Sequence, residues 1–199
     1  MKKVLGLLVV GLLFAGIAQA GSLTVGAKYL GIWTHSDSAN AGVAACSYTL
    51  NVGGVVADIG WTIIPNLVIE GDFGLMNASQ LFGRAGSGIN TQTITVPVAA
   101  IGAVYELPAM ADGKLIISVG GDIRYAQVHM DNATGNMDYV TYIYNGKGGV
   151  NYKLTDACSL FGAVEVGMGM TTLSVTGYAS EDLGSGLAVT YMGGLKMSL

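Results

Sequence analysis

Charge is what this sequence has least of. Asp, Glu, Lys and Arg make up 11% of its 199 residues, where a soluble domain carries about a quarter. A surface so poor in charge faces something other than water over much of its area. Arginine occurs at Arg84 and Arg124 alone, and the net charge is -4, so there is no basic footprint and nucleic acid is excluded as a partner. Beyond Ala20 no unbroken apolar stretch is long enough to cross a bilayer as a helix, which takes about 20 residues. Proline occurs three times and glycine 31 times. Each glycine weakens a helix by roughly 1 kcal/mol relative to alanine, so strands are the expected element, and the length suits one domain.

The N-terminus reads separately from the rest. Lys2 and Lys3 are followed by an apolar run from Val4 to Ile17 and by Ala18-Gln19-Ala20, a small-x-small cleavage pattern. This is the arrangement of a secretory signal peptide over residues 1–20, leaving residues 21–199 as the folded unit. Two cysteines in an exported chain, Cys46 and Cys158, invite a disulfide reading. The topology below places them at opposite ends of the molecule, so no intramolecular bridge is expected.

Period-two alternation divides residues 21–199 into eight segments bounded by Gly, Asn, Asp or Pro: Leu23 to Trp33, Tyr48 to Trp61, Leu67 to Met76, Thr91 to Leu107, Lys114 to Ala126, Tyr139 to Leu154, Ser159 to Leu173 and Leu187 to Leu199. One parity is apolar, as in Leu67, Ile69, Phe73 and Leu75, or Leu115, Ile117, Val119 and Ile123. The alternation slips by one residue at Gly53-Gly54 and near Ala99-Ala100, where β-bulges are expected. Charges fall on the other parity throughout: Lys28, Asp58, Glu70, Asp72, Glu106, Asp122, Arg124, Lys147, Lys153, Glu165 and Lys196. A lipid-facing charge costs up to ~2–4 kcal/mol at the bilayer midplane, so this segregation fits a barrel with its apolar parity in lipid.

A soluble sandwich also alternates, but the polar parity here is filled with Gly, Thr, Ser and Ala rather than solvated Lys and Glu. Aromatic residues gather near segment ends, with Tyr29, Trp33, Tyr48, Trp61, Tyr105, Tyr125, Tyr139 and Tyr152 expected outside as interfacial girdles. Links of alternating length complete the pattern: 62–66, 108–113 and 155–158 are short, whereas 34–47, 77–90, 127–138 and 174–186 are long. Short periplasmic turns and long external loops alternate in this way in outer-membrane barrels. The fold class expected is therefore all-β, a transmembrane antiparallel up-and-down barrel of about eight strands.

With its signal peptide, eight alternating segments, four long loops and terminal pattern Leu187-x-Val189-x-Tyr191-x-x-x-Leu195-x-Met197-x-Leu199, the chain resembles the small OmpA/OmpX-type bacterial outer-membrane barrels over essentially its whole mature length. The resemblance implies location in the outer membrane, among outer-membrane lipids and lipopolysaccharide. It also implies recognition by the barrel-assembly machinery through the C-terminal strand, which here ends in Leu199 where such proteins commonly end in an aromatic residue. No peptidoglycan-binding domain of the full-length OmpA kind is expected after the barrel.

An eight-stranded barrel is filled by side chains or holds one small ligand. Lys28, Asp58, Glu70, Asp72, Asp122, Arg124, Lys147, Glu165 and Lys196 are expected to form a lumen charge network, with Lys147, Glu165 and Lys196 as one group bridged by Glu165, and Lys28, Asp58, Glu70 and Asp72 as another. Unpaired charges in such an interior are costly. His35 and His129 stand at loop margins near Ser and Asp, a weak signal for hydrolysis. Asp37, Asp131, Asp138, Glu181 and Asp182 are oxygen donors of the kind divalent cations prefer, though ordinary loop solvation accounts for them. Asn77-Ala78-Ser79, Asn132-Ala133-Thr134 and the glycine run at Gly83, Gly86 and Gly88 read as incidental loop sequence. The function that follows is a non-enzymatic outer-membrane barrel, requiring no cofactor or metal, that maintains the envelope or interacts through four external loops. A narrow channel or small-ligand carrier is one alternative, and a lipid A modifying enzyme another.

Overall fold

The computed structural model describes residues 22–38, 46–84, 90–107, 110, 113–132, 135–175, 177 and 180–199. The expected signal peptide lies outside the described residues. Eight antiparallel strands follow in order: β1 (Leu23–Ser38), β2 (Cys46–Ile64), β3 (Leu67–Arg84), β4 (Asn90–Glu106), β5 (Leu115–Asn132), β6 (Gly135–Lys153), β7 (Cys158–Val175) and β8 (Glu181–Ser198). Each pairs with its sequence neighbours and β8 closes on β1, giving a closed up-and-down barrel. β2 turns into β3 over 65–66, where Asn66 adopts φ 70°, but the 107–114 link at the same end is longer than 85–89 or 133–134 at the other, so the expected strict alternation of short and long links does not hold.

The strands outrun the apolar alternation at their external ends. β3, expected to stop at Met76, reaches Arg84, and β1 reaches Ser38 rather than Trp33. The expected long 127–138 connection is a tight hairpin, because Asn132 pairs with Gly135. Strands of 16–19 residues, rising about 3.3 Å per residue at about 40° tilt, cover roughly 40 Å of height against an apolar band of ~25 Å. Alternation of apolar residues reports the lipid-deep part alone, and pairing continues beyond it with polar side chains. Asp37, Asp131, Asp138, Glu181 and Asp182 therefore lie on strand ends and not in loops.

Neither expected bulge is present. Pairing of β1 with β2 and of β3 with β4 runs in unbroken register through Gly53-Gly54 and Ala99-Ala100, and register shifts occur instead at Thr62/Ile64 and Met170/Thr172. The apparent slips come from Val52, Val56, Val96 and Val98, which are apolar yet buried inside the barrel. Tyr139 is corrected likewise: it faces inward and is buried, while Tyr29, Trp33, Tyr105 and Tyr152 are exposed on the outside. The side chain of Tyr48 lies outside the described residues.

The outward parity is apolar from end to end of the lipid-deep zone, with Leu75, Ile101, Val164 and Leu195 all more than half-exposed or nearly so. Where two tyrosines cross it, glycine makes room. A Cβ on Gly31 would stand 2.2 Å from the Tyr191 ring and one on Gly53 would stand 2.7 Å from the Tyr29 hydroxyl. Those two tyrosines pack against each other, ring centroids 6.4 Å apart.

Candidate functional site in the barrel lumen

The interior is layered. Inward residues at mid-height toward the turn end are charged, and those nearer the external end are apolar, including Leu30, Ile32, Met76, Val96, Val128 and Ile143. This apolar layer was missed by the parity reading, which treated inward valines as bulges.

All nine expected network residues point into the lumen. Lys28 on β1 bonds Asp58 on β2 at 2.9 Å and lies 2.5 Å from Asp72 on β3. Arg124 on β5, fully buried, reaches Asp72 at 3.2 Å, Asp122 at 2.7 Å and Glu165 at 2.9 Å. Glu70 takes Lys196 at 2.6 Å on one oxygen and Lys147 on the other, and Lys196 also reaches Asp58 at 3.2 Å. The ammonium of Lys196 sits 4.6 Å from the Phe161 ring centre, a cation–π contact. Asn145 on β6, an uncharged inward residue that parity alone does not single out, donates to Asp122 at 2.8 Å and to Glu165 at 3.2 Å.

The expected grouping changes in one respect. Glu165 does not join Lys147 to Lys196: Lys147 lies 4.0 Å from it, and Lys196 turns to Glu70 and Asp58. Glu70 is the bridging carboxylate, reaching across the lumen from β3 to β6 and β8. Long side chains in a narrow barrel pair across the axis as readily as along the wall, and strand stagger shifts the levels. The space left among Glu70, Asp72, Asp122 and Lys147 is about 10 Å³, room for one water.

The wall is uneven. β4 and β5 pair from Glu106–Ser118 up to Val98–Ala126 and no further, although β4 begins at Asn90 and β5 continues to Asn132. Proline supplies the reason. Leu107 donates to Ile117 on the β5 side and Glu106 to Asn66 on the β3 side, so odd residues of β4 face β5 and the missing N–H of Pro97 falls on that edge, one residue beyond the last pair. Counting about 2.6 Å of height per residue from the outward girdle residue Tyr105, at the tilt above, the seam begins near the upper edge of the apolar band. There water and headgroups can satisfy the free backbone groups. Val96 and Val128, buried, line its inner side.

Outward of the seam, on the β5–β6 hairpin, the Tyr125 hydroxyl donates to Gln127 at 2.6 Å, Gln127 donates to Asp138 at 3.1 Å, and His129 Nδ1 lies 2.8 Å from the same carboxylate. Ser174 on β7 pairs with Asp138 from the far side. The acid thus stands between histidine and serine, which are two strands and about 10 Å apart. A hydrolytic relay needs the histidine in the middle. His35, also outward, stacks on Trp33 at 6.0 Å. Among the described residues no three His, Cys, Asp or Glu side chains converge to hold a metal ion.

A closed eight-strand wall with an apolar exterior and a charged, filled lumen defines the class: a small barrel of the bacterial outer-membrane kind. Its fold matches that of OprG from Pseudomonas aeruginosa (TM-score 0.65, 13% identity, covering 90% of this chain and 96% of that one) and of AlkL in lipid bilayers (0.60, 13%, 90% and 90%). Ail, the attachment invasion locus protein of Yersinia pestis, is also similar (0.51, 9%, 91% and 100%). No protein-family model and no curated protein sequence matches the chain.

Proposed function

We propose that this chain is a non-enzymatic outer-membrane barrel, closed to ions, that passes small apolar molecules between its external mouth and the outer leaflet. The observation that carries the reading is the end of β4–β5 pairing at Val98–Ala126, beside an interior layer of Leu30, Ile32, Val96 and Val128. The route needs no passage through the charged layer below, where the space among Glu70, Asp72, Asp122 and Lys147 is about 10 Å³. An apolar solute leaving sideways at the lower end of the seam meets the top of the acyl layer, the solvent it prefers.

A second reading, envelope maintenance or surface interaction, draws on the outward hydrogen-bonded chain of Tyr125, Gln127, Asp138 and His129, which suits polar headgroups of lipopolysaccharide. In either reading β8, with Tyr191, Leu195 and Met197 facing out, is the strand offered to the barrel-assembly machinery.

Stapling the seam tests the first reading. In a variant with both native cysteines changed to serine, Thr95→Cys and Gln127→Cys, which leave Pro97 in place, are joined by a short bifunctional thiol reagent, and naphthalene uptake into proteoliposomes is followed by fluorescence. Uptake above that of protein-free vesicles, lost on stapling, is the expected result. Uptake that ignores the staple, or no uptake at all, leaves the surface reading.

A further inference from the structure

The lumen cluster does not balance. Among the described residues, its carboxylates are Asp58, Glu70, Asp72, Asp122 and Glu165, five acids, and its cations are Lys28, Arg124, Lys147 and Lys196, four bases. With every group ionised the sum is 4 − 5 = −1. Glu106, half-buried on β4 at a lower level, is offset by Lys153 at the same end, so the excess stays at one. A net charge in so closed a space costs several kcal/mol, and 10 Å³ does not admit a hydrated ion.

The imbalance has a location. Asp58, Glu70 and Asp72 share three lysines, Lys28, Lys147 and Lys196, and balance as a group. Asp122 and Glu165 instead share one cation and the same two donor nitrogens: Arg124 Nη2, at 2.7 and 2.9 Å, and Asn145 Nδ2, at 2.8 and 3.2 Å. Their carboxyl groups, from strands either side of β6, converge on the same Arg124 and Asn145 nitrogens. The other charges facing them are Lys147, 4.0 Å from Glu165, and Asp72 across the lumen on Arg124 Nη1. β8 presents Thr190, whose buried hydroxyl has no partner, opposite Glu165. Two carboxylates so placed are stable when one is protonated and donates to the other.

We infer that Asp122 and Glu165 hold one proton between them at neutral pH, and that this proton keeps the cluster neutral and the lumen shut. Raising the pH transfers the proton to bulk hydroxide, leaving two carboxylates on one guanidinium nitrogen. They repel, the cluster carries an uncompensated negative charge, and the lumen admits cations. The inference rests on the proposed ion-tight lumen and is independent of the seam.

The test is infrared spectroscopy of the full chain in lipid bilayers, paired with planar-bilayer conductance. At neutral pH the wild type shows a protonated-carboxyl C=O band that fades on alkalinisation. The band is lost in Glu165→Gln and in Asp122→Asn, either variant sufficing if the other does not fold. Conductance is absent at neutral pH, becomes cation-selective on alkalinisation, and stays absent in both variants. No acid band at neutral pH, or a band surviving in both variants, overturns the shared proton. A normal band with conductance unchanged by pH overturns the gating step. Conductance already open at neutral pH with a normal band refutes the ion-tight reading and leaves the shared proton standing.

Discussion

Val98 and Ala126 are the last residues of β4 and β5 to face each other in register before the wall parts toward its external end. One residue above them, Pro97 withholds the N–H that the next step of the ladder would use. A single imino acid thus sets where the barrel opens, and the opening coincides with the level at which the interior turns from charged to apolar.

Pro97→Ala should therefore lengthen the ladder. One added backbone hydrogen bond contributes about 0.5–1.5 kcal/mol, so the variant is expected to unfold at higher denaturant, with slower amide exchange at Gln127 and His129, the odd residues of β5 that face β4. Slower naphthalene uptake should accompany the change. Exchange rates equal to wild type at both amides would show that the proline does not set the seam.

Glu70 holds Lys147 and Lys196 on its two oxygens. Glu70→Gln leaves Lys147 with Glu165, 4.0 Å away, as its ion-pair partner, while Lys196 keeps Asp58. Removing one member of a buried pair costs up to ~3–5 kcal/mol. Lys147→Gln should cost less, since Glu70 then retains Lys196. Unfolding titrations in detergent check the order, and a larger loss for Lys147→Gln would contradict the bridging role.

How much of this was legible in the sequence depends on what the side chains face. Lys28, Asp58, Glu70 and Arg124 could be assigned to the interior because lipid forbids charge, and that prohibition leaves a clean parity signal. The partners of those charges could not be read, because Glu70 and Glu165 differ in nothing but reach and stagger. Val52, Val56, Val96 and Val98 misled for the opposite reason: valine is permitted both in lipid and in a packed lumen, so its parity carries no information about side. The strand ends past Met76 and Ala126 were invisible because a strand outside the bilayer no longer needs an apolar face. The seam had a visible cause in Pro97, but which neighbour an odd residue faces is settled only by the register.

Depth should govern the cost of charge on the outer face. Ile101 is 65% exposed on the mid-height exterior of β4, whereas Thr172 is exposed near the external end of β7. Ile101→Arg is expected to destabilise the barrel in lipid by ~2–4 kcal/mol and Thr172→Arg by ~0–1 kcal/mol. Equal, small penalties for both in bilayer refolding titrations would be those of a soluble sandwich.

The two cysteines report the threading of the chain. Cys46 opens β2 and pairs with Ser38 and Arg84 at the external end, whereas Cys158 opens β7 opposite Met197 at the turn end and is a free thiol. The roughly 40 Å of strand height between those ends far exceeds the ~7 Å limit between Cα atoms for a disulfide. In Gram-negative cells expressing the chain, a membrane-impermeant maleimide should label Cys46 in intact cells and Cys158 only after the outer membrane is permeabilised. Unfolded, non-reduced protein should then take up two labels. Labelling of Cys158 first would invert the barrel in the membrane, and a single or absent label caused by mutual blockage would require the two strand ends to meet, which the closed register of β1 to β8 does not allow.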